Sequence, residues 1–326
     1  MKKIFLSFFI IIPMFLMVAC GMGIQTHDIY VTVYPLQYAA QEILKDTEYT
    51  VGIVPGVTSH ESSVDWSPKE IIAMTEATYL FYIGANYDYY IDYQIDSIFS
   101  NKDVELIKID QETTYIEFIP GVIHDHDHEE TSESFEVLNT TALGVDPHFW
   151  ISPLKVLEVS ELIYDKLLIA YPEQEELLTS NYFGLVSKLE DLHNDYLETI
   201  NRLTKPVMTS TNLYGYLNHD YNLQFMPISP GYHEETDQFT SLQKEEVVEE
   251  AVYHGIRYII YEKYTTSPFS NAVFSELELL GLSPIKVEFN ILQSITNEDI
   301  NLGKNYITVM YENLELLKVA GEYTEG

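Results

Sequence analysis

The chain has 326 residues, of which 51 are acidic and 17 basic, giving a formal net charge of −34. That charge excludes a nucleic-acid binder, because a phosphate backbone demands clustered Lys and Arg. With 46% hydrophobic and 13% aromatic residues there is material for the cores of two lobes, and a single cysteine, Cys20, excludes an internal disulfide framework and any multi-cysteine metal site. A bound metal must therefore be held by His, Asp and Glu.

At the start of the chain, Lys2 and Lys3 precede an apolar run over 4–19 that is short for a membrane span and broken by Pro13. It reads as a removable export signal. The run ends Met17-Val18-Ala19-Cys20-Gly21, which resembles the bacterial lipobox, although Met17 stands where that motif usually has Leu. The resemblance implies that Cys20 becomes the lipidated first residue of an extracytoplasmic protein; an ordinary secretory signal with an incidental cysteine is the alternative. Residues 1–19 are thus expected to be signal peptide and 20–28 a lipid-anchored tether.

From residue 29 a β-rich segment (29–34), a helical one (36–45), a second β-rich segment (49–54) and a helix opened by Ser67-Pro68 follow in turn. Short apolar strands are expected at 79–83 and 104–109, with a helix over 87–99 between them. Strands alternating with helices predict a parallel sheet flanked by helices, and residues 29–170 are read as this first lobe. Between 173 and 203 there is no proline, and Leu177, Leu178, Phe183, Leu185, Leu189, Leu192, Tyr196 and Ile200 recur at spacings of mostly three and four. They predict one long helix within 171–203 joining the lobes. The same rhythm then returns over 204–326: strands at 207–209, 224–226, 258–261 and 285–288, helices near 214–219, 242–254 and 271–280, and a closing helix over 301–319. The fold class is α/β, two parallel-sheet lobes on one spine helix.

Three segments carry metal chemistry. In Asp146-Pro147-His148-Phe149-Trp150 a histidine sits between a stiffening proline and a large apolar anchor, as a fixed ligand requires. In Val54-Pro55-Gly56-Val57-Thr58-Ser59-His60 a glycine turn after a strand puts His60 at the carboxyl end of a parallel sheet, where such sheets bind ligands. Each histidine taken singly also reads as a hydrogen-bonded loop residue. The third segment, His124-Asp125-His126-Asp127-His128 followed by two glutamates, alternates imidazole and carboxylate donors in an acidic surface loop. It can collect a borderline divalent cation weakly, or be no more than a solvated loop.

These segments, with Tyr34-Pro35-Leu36, Ser67-Pro68-Lys69-Glu70-Ile71, the spine helix and Glu312-Asn313-Leu314 near the end, resemble in order the metal-specific solute-binding lipoproteins of bacterial ABC importers. The His-rich loop ahead of Asp146-Pro147-His148 is similar to the zinc branch rather than the manganese branch. The resemblance implies two α/β lobes, one metal ion in the cleft between them, a membrane ABC permease as partner, a monomer, and no enzymatic activity. It carries His60 and His148 over as ligands and His124, His126 and His128 as an accessory loop.

Three departures stand out: after His60 the chain runs about two residues longer before the Ser67-Pro68 helix start than family members typically do, and two ligands are replaced. The family's third imidazole falls on Thr211, within Ser210-Thr211-Asn212-Leu213-Tyr214-Gly215-Tyr216, and its acidic ligand on Asn290. His233, in Gly231-Tyr232-His233-Glu234-Glu235, is the candidate replacement imidazole, and equally a surface-loop histidine. Glu262 is a candidate donor or a carboxylate standing behind the donors. The leading expectation is extracytoplasmic capture of a divalent metal, zinc ahead of manganese, and delivery to the permease. A degenerate member with altered cargo or a partner-binding role is the second reading. A secreted metallohydrolase is the third, disfavoured because the chain has neither a His-Glu-x-x-His helix nor a Gly-x-Ser-x-Gly elbow.

Overall fold

The computed structural model of the chain describes residues 25–57, 64–119, 144–234 and 240–324. The first lobe contains β1 (Ile29–Val31), α1 (Tyr34–Ile43), β2 (Val51–Ile53), α2 (Pro68–Thr75), β3 (Tyr79–Tyr82), α3 (Tyr89–Asp92), β4 (Glu105–Lys108) and α4 (Ile109–Glu112). Two long helices follow, α5 (Pro153–Ala170) and α6 (Glu175–Ile200). The second lobe contains β5 (Val207–Thr209), α7 (Gly215–Tyr221), β6 (Phe225–Pro227), α8 (Ser241–Tyr253), β7 (Tyr258–Glu262), α9 (Pro268–Leu279), β8 (Ile285–Phe289), α10 (Asn297–Asn301) and α11 (Tyr306–Ala320). The strands form two four-stranded parallel sheets, ordered β2-β1-β3-β4 and β6-β5-β7-β8.

Both sheets are covered on both faces, which is why their strands read as continuous apolar runs. Tyr79 and Phe81 of β3 point into a core shared by both lobes, while Leu80 and Tyr82 point into a separate outer core with Met74 of α2. Ile260 of β7 likewise faces the shared core, and Ile259 and Tyr261 face an outer core with Val273 and Leu277 of α9. At 26 residues α6 is about 39 Å long. Its buried stripe, Leu178, Leu185, Leu189, Leu192, Tyr196 and Ile200, packs on both lobes. Near its start, Asn181 Nδ2 donates to the carbonyls of Ile43 and Lys45 (3.1 and 2.7 Å) and so closes the end of α1. Near its end, the Tyr196 hydroxyl donates to the carbonyl of Met310 in α11 (2.7 Å).

Three differences from the expected boundaries have a clear physical cause. The first strand ends at Val31 instead of residue 34, because Val33 is the N-cap of α1 and Pro35 occupies its first turn. The helix expected over 87–99 is instead the single turn α3 and a π-helical turn, Ile95–Phe99. Asp88, at the N-cap position of α3, directs its carboxylate to the amides of Ile83 and Gly84 rather than into the helix. The closing helix is split: Gly303 takes φ +76°, and Asn305 caps α11 in a reciprocal pair with Thr308.

Candidate metal centre

In each sheet the strand order reverses beside the first strand, so a crevice opens between the carboxyl ends of β1 and β3 in one lobe and of β5 and β7 in the other. Between them lies His148, 3% exposed. Asp146 Oδ1 accepts from both the His148 backbone N–H (2.9 Å) and its Nδ1 (2.8 Å). An ionised carboxylate only accepts, so Nδ1 carries the proton and Nε2 keeps its lone pair for a ligand. The imidazole is walled by Tyr232 (ring centroids 4.6 Å apart), Trp150 (5.3 Å) and Tyr87 (5.9 Å, edge to face).

Several bonds bind the two lobes around this histidine. The Tyr216 hydroxyl donates to the Asp146 carbonyl (3.0 Å) and accepts from the Ile116 N–H (3.3 Å). Trp150 Nε1 donates to the Ile291 carbonyl (2.9 Å), and the Tyr306 hydroxyl to the Trp150 carbonyl (2.8 Å). Gly215, which opens α7, lies so close to Asp146 that a Cβ there would sit 2.7 Å from Asp146 Oδ2. Only glycine lets the second lobe approach the carboxylate that aims the imidazole.

Tyr87 reaches the cleft through a left-handed turn, Gly84-Ala85-Asn86, with φ of +80°, +48° and +61°. Two carboxylates hold that turn: Asp110 Oδ2 accepts from the Ala85 N–H (2.6 Å), and Asp88 accepts from the Ile83 and Gly84 N–H groups, Thr32 and Tyr90. A Cβ at Gly84 would lie 2.4 Å from the Asp110 carboxylate. Burial pushes the Asp88 carboxyl up to about 7 against the pull of its four donors.

On the second lobe, Glu262 ends β7 and is 8% exposed, with Oε2 buried and without a hydrogen-bond partner. Burial pushes its carboxyl up to about 7; a hydrogen bond with Thr265 pulls it back, and the charge of Glu234 adds to the push. Thr211, in the turn after β5, is buried with its hydroxyl unpartnered. Asn290 is also buried, but its Oδ1 accepts from the Leu292 N–H (2.9 Å). His233 is exposed, its carbonyl accepting from the Ser229 hydroxyl (2.9 Å). Glu234 crosses to the start of α9 and accepts from the N–H groups of Phe269 and Ser270 and from the Ser270 hydroxyl.

Cys20, His60, His124, His126 and His128 lie outside the described residues. Among the described residues no three His, Cys, Asp or Glu side chains form a metal-binding group, so His148, His233 and Glu262 do not by themselves assemble one. Three further residues shape the site. Asp146 had a signal, since a carboxylate two residues ahead of an N–H readily turns back on it. Tyr87 and Tyr232 had none, being two of 26 scattered tyrosines.

Two parallel-sheet lobes sharing a core and a long helix, with a carboxylate-oriented imidazole buried between them, define a cleft-type solute-binding protein. The family described as the periplasmic component A of the zinc-uptake complex, ZnuA, matches residues 29–320, and the chain belongs to it. It is a family of uptake components, not enzymes. The zinc-binding lipoprotein AdcA of Streptococcus pneumoniae is 28% identical over 98% of this chain, and the alignment spans 61% of AdcA. The high-affinity zinc uptake system protein ZnuA of Bacillus subtilis is 25% identical over 98% of both chains. The crystal structure of the Zn(II)-bound ZnuA-like domain of S. pneumoniae AdcA shares the fold with a TM-score of 0.68 and 24% identity, covering 91% of this chain and all of that domain.

Proposed function

We propose that this protein captures a zinc ion in the cleft between its lobes, outside the cytoplasm, and delivers it to an ABC permease in the membrane. The observation that carries the reading is His148, buried at the lobe boundary with Nδ1 committed to Asp146 and Nε2 left to bind. Imidazole donors suit zinc better than manganese, which favours carboxylate, carbonyl and water oxygens. The relatives named for zinc binding and zinc uptake support the same cargo.

His60 and His148 are the ligands of the first lobe. His233 offers a further imidazole from the second, and must turn inward from its exposed position to do so. His124, His126 and His128 form an accessory loop, and Cys20 carries the lipid that holds the protein, a monomer, at the cell membrane. Binding, a modest closure and release suffice; no covalent step is needed. One observation favours the second reading, a degenerate member with another cargo or a partner-binding role: Thr211 and Asn290 stand where the resemblance places ligands, and the Asn290 side chain is spent on its own turn.

The test is a zinc titration of the purified protein in competition with a chromophoric chelator. One tight site that is lost in His148→Ala is the expected result. A tight site that survives His148→Ala refutes the cleft assignment, and absence of any tight site supports the second reading.

A further inference from the structure

We propose that a cavity on the first lobe, at the end of its sheet opposite the cleft, binds a neutral saccharide unit. The cavity is about 630 Å³, a volume within the range of small-molecule sites, and lies beside β2, an edge strand of its sheet. Gln25 and His27, which precede β1, and Tyr49 and Thr50, which precede β2, line it, so it opens at the amino ends of these strands. The cleft lies at their carboxyl ends, and a ligand here does not compete with one held there.

Gly52 and His27 build part of its wall. A Cβ at Gly52 would lie 2.2 Å from His27 Cδ2, so the imidazole rests on bare backbone of β2 that any other residue would cover. The ring also meets Tyr30 edge to face (5.6 Å). Its Nδ1 is buried without a hydrogen-bond partner, a costly arrangement that packing alone does not explain. Burial holds the ring toward its neutral form, against the charge of Asp28. A neutral imidazole carries one donor and one acceptor.

The lining selects the class of ligand. Its charged residues are Lys45 and Asp46, one of each sign, in a chain whose net charge of −34 repels anions. Among the described residues no three His, Cys, Asp or Glu side chains form a metal-binding group, so the lining is not built for a metal ion. Three carboxamides remain, Gln25, Gln37 and Gln41, each able to donate and to accept, as neighbouring sugar hydroxyls require. Gln37 Nε2 donates to the Val51 carbonyl (3.3 Å) and leaves Oε1 to accept. Tyr49 adds a rigid apolar wall, because its ring stacks on Tyr171 (centroids 3.7 Å apart) and its hydroxyl donates to Glu173 (2.8 Å) before any ligand arrives. Amides beside a fixed aromatic ring suit a pyranose, which presents hydroxyls at its edge and C–H groups on its face. Gln25 stands five positions after Cys20. With the lipid anchor proposed above, that span of at most about 18 Å keeps the cavity near the membrane, within reach of a glycan strand or of a glycolipid headgroup.

The experiment titrates the purified protein with chitotriose, which stands for a glycan strand, and with diglucosylglycerol, the soluble headgroup of a glycolipid, following binding by calorimetry and by backbone amide shifts. The parent should bind at least one of the two, with the shifted amides falling within residues 25–53. The double variant Gln25→Ala, Gln41→Ala should bind it about tenfold or more weakly, through the loss of two ligand hydrogen bonds. Both glutamines are exposed, so the variant keeps its fold, which thermal unfolding checks. Binding of chitotriose supports the proposal with a glycan strand as the source, and binding of diglucosylglycerol alone supports it with a lipid headgroup as the source. No binding of either sugar, amide shifts confined to other parts of the chain, or equal affinities for parent and variant overturns it.

Discussion

Asp146 is the most exposing place to perturb this protein, because its carboxylate does two separable things to His148. Oδ1 accepts from the His148 backbone N–H and from Nδ1 at 2.9 and 2.8 Å, fixing the ring, and its negative charge raises the basicity of Nε2. Asp146→Asn keeps an acceptor of the same shape at Oδ1 and removes the charge. Its zinc affinity should fall by about tenfold, about 1.4 kcal/mol, the lower end for residues that orient a ligand. Asp146→Ala removes charge and acceptor together and frees the imidazole to rotate, so its affinity should fall by about 100-fold, about 2.7 kcal/mol. It also leaves two donors unmet in a buried place, at about 1 to 3 kcal/mol of folding stability each. The assay is chelator competition for affinity, with urea unfolding of the metal-free protein for stability. Equal affinities for parent and Asp146→Ala would refute the view that the carboxylate aims the ligand. Equal losses for Asn and Ala would show that charge matters and orientation does not.

Gly215→Ala should weaken zinc by about tenfold and lower the unfolding midpoint of the metal-free protein, since a methyl 2.7 Å from Asp146 Oδ2 must displace that buried carboxylate from its donors; unchanged affinity would contradict this. Asp88 has its folded-state carboxyl raised to about 7, so the stability it confers is full below the ordinary carboxylate range and is lost as pH rises through about 7. Between pH 5 and 8 that is about 2 to 3 kcal/mol. Asp88→Asn, which keeps an acceptor for Thr32 and Tyr90 and carries no charge, should flatten that part of the stability profile in urea titrations, and an unchanged profile would refute the assignment. Deleting residues 124–130 should remove weak extra zinc binding and spare one tight site by equilibrium titration; loss of the tight site would overturn the accessory role. Cys20→Ser should release the protein from membranes or leave its signal uncleaved, as fractionation and mass spectrometry would show, and normal retention with normal processing would refute lipidation.

Much of the architecture is legible because both sheets are buried on two faces. Strands such as Tyr79–Tyr82 and Tyr258–Glu262 are then unbroken apolar runs, and helices between them can only be crossovers. The spine was legible for another reason: six buried apolar residues of α6 recur along one stripe that meets helices of both lobes. The helix expected over 87–99 is broken because the Asp88 carboxylate serves the turn before it and Thr32, a use that local pattern does not reveal. At the site, Asp146-Pro147-His148 marks the proposed ligand, and the carboxylate two residues ahead is the part of the same signal easiest to overlook. Glu262 has no motif around it; strand order, which places β7 beside β5, sets it at the same end of the sheet as the turn bearing Thr211. Nothing in the spacing of the 26 tyrosines marks Tyr87 and Tyr232 as the walls of the imidazole.

The central claim is the proposed capture of one zinc ion between the lobes, with His148 as a ligand. Anomalous diffraction on either side of the zinc absorption edge, from crystals of the protein grown with one equivalent of zinc, tests it directly. The account predicts a single strong peak about 2.0 to 2.1 Å from His148 Nε2. A peak elsewhere, or an empty cleft in a crystal that holds zinc only at its surface, would contradict it.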